Sequence, residues 1–512
     1  MKRKVIIATL ISSYLFLAPN IKAATFQDNK VVDLNKNWIV QFNKEIKFDE
    51  LVKNCISVTD SKGKNVKITI ESGQDNKTII VKAPKQGYTA DEKYTLKINK
   101  KLHSTNEKNL RQDLTMNFKV KNSIATFKDK NLENAVRRTI KKPKGDLFKS
   151  DLLKVTSLYC SHEHINDISG IENLTNLNSL SAEGNNIKDI TPLKSLTKLE
   201  TIYFKKNKIS DITPLKGLSN LRFFSAGGNN IKDITPLKSL SKLEELDLAQ
   251  NEISDISPLK GLSNLKGISM NGNEITDISS LNEVPNLQDF NLENNLIKSV
   301  NLKNLTKLTR FNVDNNLIKD INLKGLTKLI ALNANNNKII NINLEASENF
   351  RYAFLSSNQI SDISQFKKFS NLESLFVNNN NISDVSALSS LNELMVLSLD
   401  NNTITDISPL KNLTKLQTLG LEENRITDIS PLKNSKNLQF VFLSHNNIRD
   451  ISALTDLTKL ERLSLSFNRI SDITPLKNLT NLLELHLCDN LMSDTSVLKN
   501  LTNLQWLYTI LN

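Results

Sequence analysis

Few side chains in this sequence have the types and spacing that chemistry requires. Cys160, His162, Glu163 and His164 fall within five residues and are types that bind transition metals. Cys160, however, occupies a position where related segments of the chain carry a buried leucine, and the cluster lacks the ligand spacing of known zinc sites. The sequence therefore favours an irregular structural segment here, and it predicts neither a metal ion nor another cofactor.

The other candidates for catalysis are isolated from one another. His445 and His486 have no evident nucleophile and orienting carboxylate nearby, and Cys488 is expected to be an exposed thiol without a catalytic signature. The sequence contains no phosphate-binding loop, dinucleotide fingerprint or zinc-protease motif. An enzyme would need a catalytic domain, and the segments described below leave no room for one. We therefore predict a protein that is not an enzyme.

The element that must position any functional side chain is a repeat. From residue 154 to 512 the sequence follows L-x-x-L-x-L-x-x-N-x-I-x-D-I-S/T-P-L-x-x-L-x-x, with 16 coils from Ile165 to Met492 and a partial last coil. Six steps of 22 residues, three of 21 and six more of 22 separate the isoleucines. Asparagine stands two residues before this column in 15 of the 16 coils, and only Glu163 departs. Such a period predicts a solenoid.

Each column of the repeat has a physical role. The L-x-L pair points inward from a short strand, and the asparagine amide can satisfy backbone groups at the bend that follows. The Ser/Thr-Pro step suits a helix N-cap followed by the first position of a short turn. These columns build the fold, which we expect to have parallel strands on a concave face and short 3-10 or irregular turns on a convex face.

Three further segments precede the repeats. Residues 1–23 have the charged, apolar and small-residue order of a signal peptide, with cleavage expected after Ala23. Residues 24–121 predict a small β-sandwich, with strands expected at 38–42, 66–70, 78–81, 94–98 and 116–120. Residues 126–153 predict a helical cap with Asp129 as N-cap, and 151–153 a second short helix. No apolar stretch long enough for a membrane span follows the signal, so we expect a secreted protein.

Two resemblances extend this organisation. The first segment, through Trp38–Lys44, Ser57–Gly63 and the strands of Tyr94 and Phe118, resembles the bacterial immunoglobulin-like domains of S-layer and surface proteins, which implies a spacer or adhesion module. The repeat and the capping segment Phe127–Val136 resemble internalin-type leucine-rich-repeat proteins. That resemblance implies an exported, sickle-shaped solenoid that binds a protein on its concave face. The immunoglobulin-like segment here precedes the repeats, and no Leu-Pro-x-Thr-Gly sorting signal is present.

The best functional evidence lies in the strand positions six and four before the asparagine, because these face the concave side and are free of the fold's demands. Large aromatic residues collect there. They are Tyr203, Phe223, Tyr352, Phe354, Phe376, Phe440, Phe442, Trp506 and Tyr508. Exposed aromatic ladders usually mark an interface, and we predict protein binding at these residues, although aromatics that only pack on one another remain the alternative.

Two other features accompany the aromatics. Lys205 and Lys206 join Tyr203 and Phe223, and an acidic stretch follows, for which a solvated face is the simpler interpretation. Its members are Glu245, Asp247, Asp289, Glu293 and Asp314. The three 21-residue steps lose the Ser/Thr-Pro element, which suggests a local change of curvature between Ile297 and Ile360, or neutral variation in repeat length.

The composition and charge of the chain are compatible with two hypotheses about what the protein binds. The formal charge is +13, and residues 24–121 contain 19 Lys/Arg against 12 Asp/Glu. The first hypothesis is a secreted binding protein whose concave face recognises a protein, such as a host receptor or a bacterial surface protein. The second is a cell-surface structural or adhesive protein held on wall polymer by the lysine-rich first domain. Salt separates the two, because screening weakens attachment through lysines. The sequence gives no indication of nucleic-acid binding.

Overall fold

The computed structural model describes residues 28–509, and it divides the chain into two compact units. One consists of Met1–Ala125 with Lys144–Leu153, and the other of Thr126–Pro143 with Lys154–Asn512. The predicted signal peptide and its cleavage point lie outside the described residues. None of the helices in the described part of the chain has the length and apolar character needed to cross a membrane.

The first unit is a two-sheet β-domain. Its elements are β1 Lys30–Val32, β2 Trp38–Gln41, α1 Glu50–Asn54, β3 Ile56–Asp60, β4 Thr69–Ser72, β5 Thr78–Lys82, β6 Lys93–Ile98 and β7 Leu114–Val120. One sheet has the order β1-β7-β6-β3 and the other β2-β5-β4. Alternate side chains of both sheets form one apolar core, in which the rings of Trp38 and Phe118 lie 4.9 Å apart. The predicted β-sandwich is confirmed.

The strand predictions were accurate except around residue 66. The strand expected at 66–70 begins instead at Thr69, because Val66 donates its N–H to Val58 and continues the turn that leaves β3. The sequence analysis also missed β1, β3 and α1. Helix α1 is only five residues long and is capped by Asp49, which accepts the N–H of Val52 at 2.9 Å.

Two helices occupy the segment between the β-domain and the repeats. They are α2 Lys130–Ile140 and α3 Lys149–Leu152. Asp129 caps α2 as predicted, and the apolar side chains of this helix, Leu132, Ala135, Val136 and Ile140, are buried. Helix α3 begins two residues earlier than expected, because the Asp151 carboxylate accepts the N–H of Phe148 at 2.9 Å and so lies inside its first turn.

The repeats of the second unit form one parallel sheet in which each strand pairs in register with the strand of the next coil. In the described residues its strands are β8 Ser157–Tyr159, β9 Ser179–Ser181, β10 Thr201–Tyr203, β11 Phe223–Ser225, β12 Glu245–Asp247, β13 Gly267–Ser269, β14 Asp289–Asn291, β16 Arg310–Asn312, β18 Ala331–Asn333, β20 Tyr352–Phe354, β21 Ser374–Phe376, β22 Val396–Ser398, β23 Thr418–Gly420, β24 Phe440–Phe442, β25 Arg462–Ser464, β26 Glu484–His486 and β27 Trp506–Tyr508. The predicted leucine-rich-repeat solenoid is confirmed.

Short 3-10 turns lie on the side of the coils away from this sheet. They are Ile171–Asn173, Thr191–Ser195, Thr213–Gly217, Thr235–Ser239, Ser257–Leu259, Ser279–Glu283, Ser364–Lys368, Ser386–Ser390, Ser408–Asn412, Ser430–Asn434, Ser452–Leu454, Thr474–Asn478 and Ser496–Asn500. The expectation that Ser/Thr caps these turns was wrong. Thr191 is the first residue of its turn, and its N–H is accepted at 2.8 Å by Asp189, the aspartate of the repeat motif. The aspartate supplies the cap because its carboxylate reaches two residues forward.

The three 21-residue steps coincide with a second, three-stranded parallel sheet on the far side of the coils. Its strands are β15 Ser299–Asn301, β17 Asp320–Leu323 and β19 Asn341–Leu344. Side-chain amides occupy both of its edges. Asn282 donates to the carbonyl of Asn301 and accepts the N–H of Lys303, and Gln365 bonds in the same way to Ile342 and Leu344. Each side-chain amide therefore forms the hydrogen bonds that a further strand would make at that edge. The change of curvature suggested between Ile297 and Ile360 stays a prediction.

Candidate functional site

The concave face is built by strand alternation. In each strand of this sheet from β8 to β26 the central residue is buried in the solenoid, and the residues on either side of it face outward. In β27 the central Leu507 is 43% exposed. In β20, for example, Ala353 is buried while Tyr352 and Phe354 are half-buried. The following asparagine fixes the exit of the strand. Asn380 after β21 accepts the N–H of Ile360 at 2.9 Å and donates to three backbone carbonyls.

Three of the predicted aromatic residues form a central cluster on β20 and β21. The rings of Phe354 and Phe376 are stacked, with centroids 5.1 Å apart. The hydroxyl of Tyr352 donates to Glu373 at 3.0 Å, and Arg351 lies 3.3 Å from the same carboxylate. The hydrogen bond to Glu373 raises the pKa of Tyr352. These contacts hold the three aromatic side chains in place while part of each stays accessible.

Four more of the predicted residues lie toward the last coils. Phe440 and Phe442 flank the buried Val441 on β24, and the guanidinium of Arg462 lies 5.8 Å from the ring of Phe440. Trp506 and Tyr508 on β27 are 49% and 47% exposed. Nearby, the ring of His486 lies 4.3 Å from that of Tyr508.

The sequence analysis missed Phe467, which is 46% exposed and stacks on His445 at 4.1 Å. Its backbone φ is 55°, a left-handed turn conformation that a bulky side chain rarely adopts. The sequence analysis could have found Phe467 from its position directly before the asparagine column. It extends the aromatic surface of the last coils beyond the strand positions.

A third group surrounds a groove of about 720 Å³ over β10 to β18. Tyr203 and Phe223 lie at one end, and the guanidinium of Arg222 is 5.3 Å from the ring of Phe223. Lys205 does not project freely, because its ammonium lies 2.6 Å from the carboxylate of Asp247. Lys206, predicted with it, lies in the turn after the strand with a φ of 53°.

The acidic residues near this groove are incompletely neutralised. Burial and the neighbouring charge of Asp289 raise the pKa of Glu245. Burial likewise raises the pKa of Asp314, against the opposing effect of hydrogen bonds from Asn335. The structure thus divides the predicted site into three groups along the sheet: the groove, the central cluster and the aromatics of the last coils.

Comparison of the sequence with protein-family models supports the folds of both units. The model for leucine-rich repeats (two copies) matches residues 175–217, 219–261, 351–390, 393–434 and 436–478. The model for a bacterial Ig-like domain matches residues 17–120. This is a leucine-rich-repeat protein with a bacterial immunoglobulin-like domain. Neither matched model describes an enzyme, and no protein of curated function matches the sequence.

Several solved structures are similar to this leucine-rich-repeat protein, and those of InlJ and HAESA share its fold. The functional domain of InlJ from Listeria monocytogenes is 20% identical with a TM-score of 0.55, and the match covers 71% of this chain and 80% of that one. An internalin (inlF) from the same species is 28% identical over 75% of this chain and 96% of that one, with a TM-score of 0.41. The Arabidopsis receptor kinase HAESA, in complex with the peptide hormone IDA and the co-receptor SERK1, is 21% identical with a TM-score of 0.56, over 67% of this chain and 64% of that one.

The side chains considered above for metal binding make structural contacts in this leucine-rich-repeat protein. Cys160 is buried in its leucine column, and that burial raises the pKa of the thiol to about 12. Glu163 pairs with Arg138 at 2.5 Å, and the imidazole of His162 lies against Gly184, where a Cβ would be 2.3 Å from its Nδ1. Within residues 28–509, no three side chains of metal-binding type lie close enough to hold an ion.

Proposed function

We propose that this protein is a secreted, non-enzymatic, internalin-like binding protein whose concave face recognises a protein partner, such as a host surface receptor. The observation that carries this proposal is the central aromatic cluster. Tyr352, Phe354 and Phe376 are half-buried on a sheet whose core does not need them. Stacking between Phe354 and Phe376 covers one face of each ring and leaves the remainder to solvent, as expected of an interface anchor.

Two further observations support a protein partner. The receptor kinase HAESA, which shares the fold, is in complex with a peptide hormone and a co-receptor. The other aromatic residues proposed for binding recur along the same face, so one elongated partner surface could reach several of them. They are Tyr203, Phe223, Phe440, Phe442, Trp506 and Tyr508. Secretion rests on the signal-like order of residues 1–23.

The alternative, wall attachment through the lysine-rich first domain, has less support. Several of its lysines already pair with carboxylates, among them Lys82 with Glu71 and Lys119 with Asp91, at 2.6 and 2.7 Å. Paired lysines retain less attraction for a polyanion.

The test compares binding of the labelled wild type and the triple variant Tyr352→Ala, Phe354→Ala, Phe376→Ala to mammalian cells and to bacterial cell walls. A Leu296→Ala, Ile340→Ala variant serves as control, because it removes exposed apolar side chains outside the concave columns. Interface aromatics cost about 1–2 kcal/mol or more each when truncated, so the triple variant, which loses three, should bind cells at least about a hundredfold more weakly. Salt-sensitive binding of all three proteins to walls alone would replace this proposal with wall attachment.

A further inference from the structure

Part of the floor of the groove over β10 to β18 consists of small side chains. Gly267 lies at a concave position where a side chain would otherwise project, and a Cβ there would be 1.9 Å from Oε2 of Glu245. The absence of that side chain lets the Glu245 carboxylate lie across β13. Ser269 on the same strand and Ser225 on β11 are further small residues of the floor, and Phe223 forms a wall at one end. The groove is therefore long, shallow and open to solvent.

Its lining has an excess of negative charge in a protein whose formal charge is +13. Glu183, Glu245, Asp247 and Asp289 line it, against the cations Lys205 and Arg310. Lys205 forms an ion pair with Asp247, and the guanidinium of Arg310 lies 3.9 Å from the carboxylate of Asp289.

The Glu245 carboxylate has no such partner among the described residues. The neighbouring Lys266 pairs with Glu244 instead, at 2.7 Å. Glu293 and Asp314 carry the negative charge further along the sheet. The Glu245 carboxylate is solvent-accessible and unpaired, and a negative surface is complementary to a positively charged partner, so this arrangement is suited to a cationic ligand.

The dimensions indicate an extended ligand. From Phe223 on β11 to Tyr352 on β20 there are six strand steps, which at about 4.8 Å each span about 29 Å. An extended peptide at about 3.3 Å per residue covers that distance with about nine residues. An aromatic residue bounds each end of the acidic stretch.

We propose that this groove binds an extended, lysine- or arginine-rich segment of the partner protein, with its cations over Glu245 and Asp289. The inference rests on the proposed function and names the chemistry of the partner. The inference is based on charge complementarity, because a neutral or acidic segment would leave the Glu245 carboxylate unpaired in the complex.

The test uses fluorescence anisotropy with a fluorescein-labelled nine-residue peptide of alternating serine and lysine, and a matched peptide with glutamate in place of lysine. The full chain should bind the lysine peptide and not the glutamate peptide, and added salt should weaken binding. The Glu245→Gln, Asp289→Asn variant should bind about tenfold more weakly, as expected for two partly screened charge contacts of about 0.7 kcal/mol each. The control Glu274→Gln, Glu423→Gln removes two exposed carboxylates outside the groove and should bind like the wild type.

Two outcomes overturn the inference: equal binding of both peptides, or equal weakening by the groove variant and its control. Circular dichroism confirms that each variant is folded. Failure of the proposed function would look different, because wild-type protein would then bind no cells, whatever its affinity for the peptides. Cell binding that survives the groove variant would keep the proposed function and reject the cationic segment.

Discussion

The asparagine column offers a sharp test of how the concave strands are held. In Asn380→Ala, the buried N–H of Ile360 loses its acceptor, Oδ1 of Asn380, which lies 2.9 Å away. The carbonyls of Leu355 and Val377 lose one donor each but keep a second, because the amides of Asn358 and Asn402 also donate to them. The carbonyl of Asn378 also loses a donor but keeps the N–H of Ser357. The substitution therefore creates one buried group without a partner and three carbonyls that each keep one donor.

The magnitude follows from that count. A buried N–H without an acceptor costs about 1–3 kcal/mol, and each of the three remaining lost bonds costs roughly 0.3–0.5 kcal/mol because its carbonyl keeps a second donor. We expect Asn380→Ala to lower the free energy of unfolding by about 2–4 kcal/mol. Asn380→Asp should be worse at pH 7, because its carboxylate faces three carbonyl oxygens.

The pH dependence of the aspartate variant gives an independent check. Burial among carbonyls raises the folded-state pKa of the new carboxyl above its unfolded value. Its neutral form is then favoured by folding, so stability is retained below the unfolded pKa and lost as the pH rises through the folded one. Asn380→Asp should therefore be closer to wild type at pH 4 than at pH 7.

Urea unfolding followed by circular dichroism measures the midpoint, and hydrogen exchange at the Ile360 amide reports the local effect, since long repeat arrays need not unfold in two states. Asn381→Ala is the matched control, because this neighbouring asparagine is exposed. Equal midpoints and equal Ile360 exchange in Asn380→Ala and Asn381→Ala would refute the reasoning.

Two other predictions concern titratable groups. Hydrogen bonds from Ser169 and the Lys128 ammonium lower the pKa of Asp167 from 3.8 to about 2, so its contribution to stability is present above 3.8 and disappears as the pH falls through about 2. Asp167→Asn should cost roughly 1 kcal/mol at pH 7 after allowance for solvent screening, and a gap in urea midpoints that persists near pH 2 would contradict this. Among the cysteines, Cys488 is half-buried while Cys55 and Cys160 are buried, and burial raises the pKa of both buried thiols. A thiol reagent should modify one cysteine in the native protein and three in urea, and a native signal that survives in Cys488→Ser would show that Cys55 or Cys160 is accessible and would contradict this prediction.

The sequence was sufficient to predict the structural features that the repeat period determines. Alternation along a strand places Leu375 inside and Phe376 outside whatever the neighbours are, so the concave columns could be read from spacing alone. The asparagine ladder was predictable for the same reason, because one amide must serve the bend in every coil. Helix α2 followed from its apolar side and from Asp129.

Features that depend on contacts between coils could not be read in this way. The spacing predicted Ser/Thr as the cap of each 3-10 turn, and only the geometry shows that the aspartate of the motif accepts the bond. Loss of the Ser/Thr-Pro step was visible, but the parallel strands that replace it depend on three successive coils pairing and on Asn282 and Gln365 closing their edges. The pairing of Lys205 with Asp247, two coils apart, required side-chain conformations.

The spacing of the coils also bears on whether the aromatic residues bind or merely pack. Side chains in one column on adjacent strands are forced to within about 5 Å, so Phe354 and Phe376 must stack even if nothing selects for it. Stacking is therefore weak evidence for a packing role. Packing alone would equally be served by apolar side chains lying flat on the sheet, and it would not need Glu373 to hold the Tyr352 hydroxyl. An aromatic pair held half-exposed beside a fixed hydroxyl is better explained by a partner that contacts both, which the cluster variant tests directly.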